Sequence, residues 1–333
     1  MHNRISTRRP RRRLLRRRGL MAVAAILLAI SSIGLAACGG STSSAGSAEA
    51  NGDKLDVVAS FYPMADFAQK VGGDHVSVTN LVPAGTEPHE WEPSSSDIKA
   101  IQTSDVFIYN GADMEGWVDD TIASTDTSKT TVCEASNGIK LRTAAEEEDS
   151  SEEHEHAGEH DPHVWLSPKN AKAELKNIER ALIKADPDNK ADYQANYQKY
   201  AQKFDALDQK FADALSKTKG HSIVVSHEAY GYLCDEFGLT QEPITGMDAE
   251  GEPDAQTMAK IVQFIKDNNV KTVFGEDLVS QKVAKTIADE TGAACVQLNP
   301  VEGLTDKQLK DGEDYLSVMN DNLDKLVKAL NQE

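Results

Sequence analysis

Imidazoles and carboxylates are the side chains here that could hold a divalent transition metal, and four of them stand where a fold could bring them together. His89, in "PAGTEPHEWEPS", lies in the connection after an expected strand; His227, in "VVSHEAYGYL", follows another strand directly; Glu302, in "VQLNPVEGL", comes just past a third. Parallel α/β sheets gather ligands beyond the carboxyl ends of their strands, so these three positions can converge. His163, in "DPHVWLSP", completes a set of four. A single histidine after a strand is more often a packing residue than a ligand, and by themselves these residues leave both readings open. His75 opens a strand and His221 precedes one, and neither asks for more than a structural role.

A second pattern lies just upstream of His163. The stretch "EEEDSSEEHEHAGEHDPHVW", residues 146 to 165, holds nine acids and four histidines. A charge run is ordinarily a solvated loop, but histidine alternating with carboxylate is a compositional sign of metal binding. His154, His156 and His160 are therefore candidate auxiliary ligands in a mobile acidic collector, while "DPHVW" reads as part of a folded lobe.

The elements that must position these residues follow an α/β rhythm. "LDVVAS", "HVSVTNLV", "DVFIYN" and "TTVCEA" read as strands, with helices over "MADFAQKVGG" and "SSSDIKAIQTS" between them. The rhythm recurs in "SIVVS", "KTVFG" and "AACVQL", with helices from Glu228, from Pro253 and at the C-terminus. Strands alternating with helices imply parallel sheets, so the expected fold is α/β: two doubly wound lobes. Between the lobes, Tyr193, Tyr197, Tyr200, Phe204, Leu207, Phe211 and Leu215 recur every three or four residues, one apolar face of a long helix. Roughly 25 residues at about 1.5 Å each make a stiff spine near 40 Å long.

The N-terminus reads as an export signal. Nine arginines within the first eighteen residues precede an apolar run ending in Leu35-Ala36-Ala37-Cys38, which resembles the bacterial lipobox. Residues 1–37 are thus expected to be a lipoprotein signal peptide, Cys38 the lipidation site that anchors the chain in membrane lipid, and residues 38–53 a flexible tether. The chain carries 35 basic and 54 acidic residues; without the nine signal arginines the balance is 26 against 54, or −28. Such a surface attracts cations and excludes a nucleic-acid partner, and no glycine-rich phosphate loop follows the first strand. Cys133, Cys234 and Cys295 remain after Cys38, an odd number for an exported chain, and Cys234 with Cys295 is the expected disulfide.

Taken together, "VASFYPM", "PAGTEPHEWEPS", "DPHVWLSP", "VVSHEAYGYL" and "VQLNPVEGL" make the chain from about residue 54 resemble the metal-binding substrate-binding proteins of ABC importers, most closely the zinc-specific ZnuA-like members. The resemblance implies two lobes joined by a rigid helix with one metal buried between them. It divides the chain into an N-terminal metal-binding lobe (54–167, with the acidic loop 145–162), linking helices (168–219) and a C-terminal lobe (220–333). It assigns His89, His163, His227 and Glu302 as ligands of a transported Zn(II), an ABC-type membrane permease as partner, and a monomer that makes and breaks no bond. Manganese-binding relatives have a carboxylate where this chain has His227, and three imidazoles with one carboxylate suit zinc better. Manganese transport on the same scaffold is the alternative, with a secreted zinc hydrolase behind it; no H-E-x-x-H is present. Trp91 and Trp165, each two residues past a ligand, are expected to pack in the core, with shielding of the metal as the sharper reading.

Overall fold

The computed structural model describes residues 54–143, 159–218 and 220–331. The first lobe contains β1 (Leu55–Ala59), α1 (Tyr62–Gly72), β2 (Val76–Asn80), α2 (Ser95–Thr103), β3 (Val106–Tyr109), α3 (Val118–Ala123) and β4 (Thr131–Glu134). The link is α4 (Pro168–Ala185) and α5 (Lys190–Leu215). The second lobe contains β5 (Ser222–Val225), α6 (Gly231–Phe237), β6 (Thr240–Pro243), α7 (Ala255–Asp267), β7 (Thr272–Gly275), α8 (Lys282–Thr291), β8 (Ala294–Gln297) and α9 (Asp306–Asp311), and the described chain ends in α10 (Tyr315–Leu330). Each lobe is built on a four-stranded, wholly parallel sheet, ordered β2-β1-β3-β4 and β6-β5-β7-β8.

Burial explains the strand sequences. The central strands β1, β3, β5 and β7 are covered on both faces and are apolar nearly throughout, whereas the edge strands β2, β4, β6 and β8 alternate or lie open. Helix starts are fixed locally: Ser94 and Asp97 form a reciprocal capping box on α2, and Asp314 with Ser317 forms another on α10.

The expected spine is α5, whose 26 residues span about 39 Å. Its Phe204 meets Phe67 of α1 edge-on at 5.6 Å, and its Phe211 stacks on Phe237 of α6 at 5.1 Å, so one helix packs against both lobes. Tyr197 and Tyr200, on the same expected face, are only half-buried and lie under lysine ammonium groups, Lys176 at 4.4 Å from the Tyr197 ring and Lys203 at 4.8 Å from that of Tyr200. The C-terminal helix α10 also serves both lobes: Tyr315 packs on Phe67, and Asp314 pairs with Lys70 of α1 at 2.8 Å. No helix among the described residues is long and apolar enough to cross a membrane.

The expected Cys234–Cys295 disulfide is not formed. Cys133, Cys234 and Cys295 are all free thiols. Cys234, on α6, is buried with Ile223, Val225 and Phe274 in the core shared with the spine, whereas Cys295 pairs with Val273 in register and packs on the opposite face with Val224, Ile261 and Ile287. The second sheet stands between the two sulfurs. Burial also pushes the Cys133 and Cys234 thiols up to about 12, which leaves them unreactive.

Candidate metal centre

Three of the four expected ligands arrive where parallel strands end: His89 after β2, His227 after β5 and Glu302 after β8. His163 comes from the segment between β4 and α4, one residue before a single 3-10 turn, Val164–Leu166. The two loops that carry His89 and Glu302 are tied together, because the N–H of Gly85, in the left-handed region at φ 77°, donates to the Leu304 carbonyl at 3.0 Å.

The Glu302 turn is fixed by groups from three directions. Asn322 of α10 accepts from the Asn299 N–H at 3.0 Å and donates to its carbonyl at 2.6 Å, while the Asn299 side chain accepts from the Val301 N–H at 2.6 Å. From the first lobe, the Trp165 indole donates to the Pro300 carbonyl at 2.8 Å. Val301 is thereby held at φ 59°, a conformation that costs a β-branched residue about 1–3 kcal/mol and persists only where the surroundings over-determine it. The turn aims the Glu302 carboxylate into the space between the lobes.

The four donors converge. His163 Nε2 lies 3.2 Å from the Nε2 of both His89 and His227 and 3.1 Å from Glu302 Oε1. Glu302 Oε1 is 3.1 Å from His227 Nε2 and 3.5 Å from His89 Nε2. Donors about 2.0–2.1 Å from a tetrahedral zinc sit roughly 3.3 Å apart, whereas a square plane requires two diagonals of about 4.1 Å. Five of the six separations are 3.1–3.5 Å, which leaves room for one diagonal and excludes the square plane.

A second ring of groups fixes the imidazoles. Asp161 Oδ1 accepts from the His163 backbone N–H at 3.0 Å and faces its Nδ1 at 2.9 Å; Glu276 Oε1 faces His227 Nδ1 at 2.8 Å. With the proton on Nδ1, each ring turns a bare Nε2 lone pair toward the centre. Glu276 follows β7, the neighbour of β5, so this pair spans the point where the second sheet's strand order reverses. The Trp165 ring lies against His163 at 5.4 Å and is fully buried, so it packs in the core beside the donor cluster. Trp91 is half-buried against Trp117 at 5.8 Å.

The electrostatics are those of a cation trap. Burial alone would raise the pKa of Glu302, but the facing imidazoles outweigh it and hold this carboxyl well below its usual range. Burial likewise disfavours charge on His163 and His227, yet the carboxylates beside them, Asp161, Glu276 and Glu302, raise both above the ordinary imidazole value. His89 is lowered by burial, although its side chain is 12 % exposed and it is the most accessible of the four. Glu87 accepts from the His89 N–H with both oxygens, at 3.0 and 3.1 Å, and burial together with nearby Glu302 raises it to about 8.

Of the other candidate residues, His160 is held at the surface, its Nδ1 3.1 Å from Asp113 Oδ2, and contributes nothing to the central cluster. His154, His156 and Cys38 lie outside the described residues. His75 pairs with Asp192 of α5 at 2.8 Å. Sequence reasoning missed Asp161, Glu276, Glu87 and Asn322. Glu276 was the most findable, being a carboxylate just past a parallel strand like Glu302.

Two parallel-sheet lobes on a helical spine, with three imidazoles and a carboxylate buried between them, define a two-lobed binding protein for a transition-metal ion. Residues 57–329 match the family described as zinc-uptake complex component A, periplasmic, and the chain belongs to that family. It is 41 % identical over 322 residues to the high-affinity zinc uptake system protein ZnuA of Bacillus subtilis, covering 94 % of this chain and 97 % of that one. It is 38 % identical over 283 residues to the zinc-binding lipoprotein AdcA of Streptococcus pneumoniae, covering 84 % of this chain but only 56 % of the longer AdcA. The solved Zn(II)-bound ZnuA-like domain of AdcA from Streptococcus pneumoniae matches with a TM-score of 0.73 and 36 % identity, over 84 % of this chain and 100 % of that one.

Proposed function

We propose that the protein captures Zn(II) outside the cytoplasmic membrane and delivers it to an ABC-type permease, with His89, His163, His227 and Glu302 as the ligands. The observation that carries this reading is the buried donor cluster with separations of 3.1–3.5 Å, in a chain of the zinc-uptake family. Four protein donors fill a tetrahedral zinc shell, the closed arrangement of a holding site; a catalytic site keeps one position for water. His227 is an imidazole with its tautomer set by Glu276, which favours zinc over the harder manganese ion. Relatives named for zinc uptake and zinc binding support the same choice.

The acidic surface of the exported part concentrates cations around the cleft. Acylation of Cys38 would keep the folded part, a monomer, on a tether of residues 38–53 beside its permease. The domain limits given above, a lobe to residue 167, linking helices to 219 and a second lobe beyond, belong to this reading, with α10 shared between lobes. The reading is tested by uptake of radioactive zinc into cells that lack the chromosomal copy. The wild-type chain should restore uptake and His163→Ala should not; equal restoration by both would refute the assignment of the site.

A further inference from the structure

The acidic stretch is fastened at its base, and the fastening runs straight to a metal ligand. Residues 142–143 and 160–161 pair there: the Asp161 N–H donates to the Arg142 carbonyl at 3.0 Å, and Thr143 bridges His160 antiparallel. Arg142 Nε donates to Asp161 Oδ2 at 3.2 Å, and the other oxygen of that carboxylate is the one facing His163 Nδ1. Asp161 is buried, so the carboxylate that sets the His163 ring has Arg142 as its counter-charge inside the protein.

Arg142 also reaches the second lobe. Its Nη1 donates to Asp235 of α6, its backbone N–H donates to the Tyr232 hydroxyl at 3.0 Å, and that hydroxyl donates to the Asp161 carbonyl at 2.9 Å. The guanidinium carbon lies 5.8 Å over the Tyr232 ring. Residue 231 must be glycine for this contact, because a Cβ there would sit 2.5 Å from both Arg142 Nε and Asp161 Oδ2. One guanidinium thus joins the neck of the acidic stretch, a ligand-orienting carboxylate of the first lobe and the first turns of α6.

Resting on the zinc-binding reading above, we propose that Arg142 is a positioning residue for the metal centre: it fixes Asp161, Asp161 fixes the His163 ring, and the residence time of zinc depends on that chain of contacts. A planar fork suits the task, since two of its N–H groups serve carboxylates on different lobes in a fixed geometry. Outer partners of metal-bound histidines typically contribute 10–100-fold to metal affinity, and Arg142 acts one contact further out. Arg142→Gln should therefore speed zinc release about tenfold, the lower end of that range.

The experiment is a double-mutant cycle on the full chain, Arg142→Gln and Asp161→Asn singly and together, read by stopped-flow zinc release to excess chelator and by the visible ligand-field spectrum of the Co(II)-substituted protein. A merely structural role would leave that spectrum unmoved; the positioning role alters it in both single variants. In the Asp161→Asn background the Arg142 substitution should add less than about twofold to release, because the two residues act in series. Wild-type release and spectrum in Arg142→Gln, or an undiminished effect of that substitution when combined with Asp161→Asn, would overturn the proposal. Should Arg142→Gln fail to fold, Arg142→Lys keeps the charge and should give intermediate release, and wild-type release from it would equally overturn the proposal. Absence of retained zinc in the wild-type chain would instead overturn the functional reading, and this inference with it.

Discussion

Zinc and protons compete for the same imidazole lone pairs, and the structure sets how steeply. In the metal-free protein His163 and His227 hold protons above the usual imidazole range, because Asp161, Glu276 and Glu302 outweigh the effect of burial, whereas burial lowers His89. Glu302 stays ionised across the physiological range. Zinc must therefore displace protons from His163 and His227, while burial makes His89 the weaker competitor, and lowering the pH from 7.0 to 5.5 should weaken zinc binding. The sign follows from the raised values: the advantage of the zinc-bound state is greatest above them and is lost as pH falls. One competing proton raises Kd about 30-fold over 1.5 pH units and two raise it about 1,000-fold, or roughly 2 to 4 kcal/mol. The assay is a competition titration against a chelator of known proton affinity at constant ionic strength, with log Kd plotted against pH. A slope between one and two is expected. Glu276→Gln should lower that slope toward one, since it removes a carboxylate that raises His227, while weakening zinc binding about tenfold at neutral pH. A flat response would refute imidazole ligation; a slope of three would refute the distinct environment of His89.

His227→Glu should shift preference from zinc toward manganese in paired titrations, because it exchanges an imidazole for a hard oxygen donor; unchanged selectivity would place the discrimination elsewhere. Deleting residues 146–158 should remove low-affinity zinc from a titration and leave the tight site intact, since Asp161 and His163 belong to the folded lobe; loss of tight binding would contradict that separation. Glu174 of α4 is fully buried with no hydrogen-bond partner for either oxygen, and burial raises its pKa well above the carboxyl range; burial also raises nearby Glu115 to about 7. Both acids bind protons more tightly folded than unfolded, so their contribution to stability is greatest below about pH 4.5 and is lost as pH rises through the folded values. Glu174→Met should therefore raise stability at pH 8 by about 1–3 kcal/mol in chemical denaturation of metal-free protein. A loss of stability there would show that Glu174 has a partner.

What could be read from the chain and what could not separate along burial. The central strands β1, β3, β5 and β7 are apolar runs that announce themselves, and the α5 face repeats over about six turns. The edge strand β6, "TQEP", carries no apolar pattern because its side chains stay half-exposed, and α9 buries none of its residues. Both are set by context: β6 by pairing with β5, and α9 by its Thr305–Gln308 capping box. The same division holds at the site. His89, His227 and Glu302 were legible as polar residues past strand ends, and in the structure they converge with His163. Asp161 and Glu276 act through ring orientation, Asn322 through the backbone of Asn299, 23 residues upstream, and Arg142 through a carboxylate; none of these relations leaves a spacing in the sequence. The disulfide expectation failed for a related reason, since cysteine count carries no information about which face of a sheet a sulfur occupies.

Metal analysis of the purified protein, combined with a crystal structure of the zinc-loaded form, tests the proposed joint ligation of one zinc ion by His89, His163, His227 and Glu302. One tightly held zinc per chain is expected, bonded to the Nε2 atoms of His89, His163 and His227 and to the Glu302 carboxylate. A chain that retains no zinc, or that binds it through other residues while these four stay unligated, would contradict it.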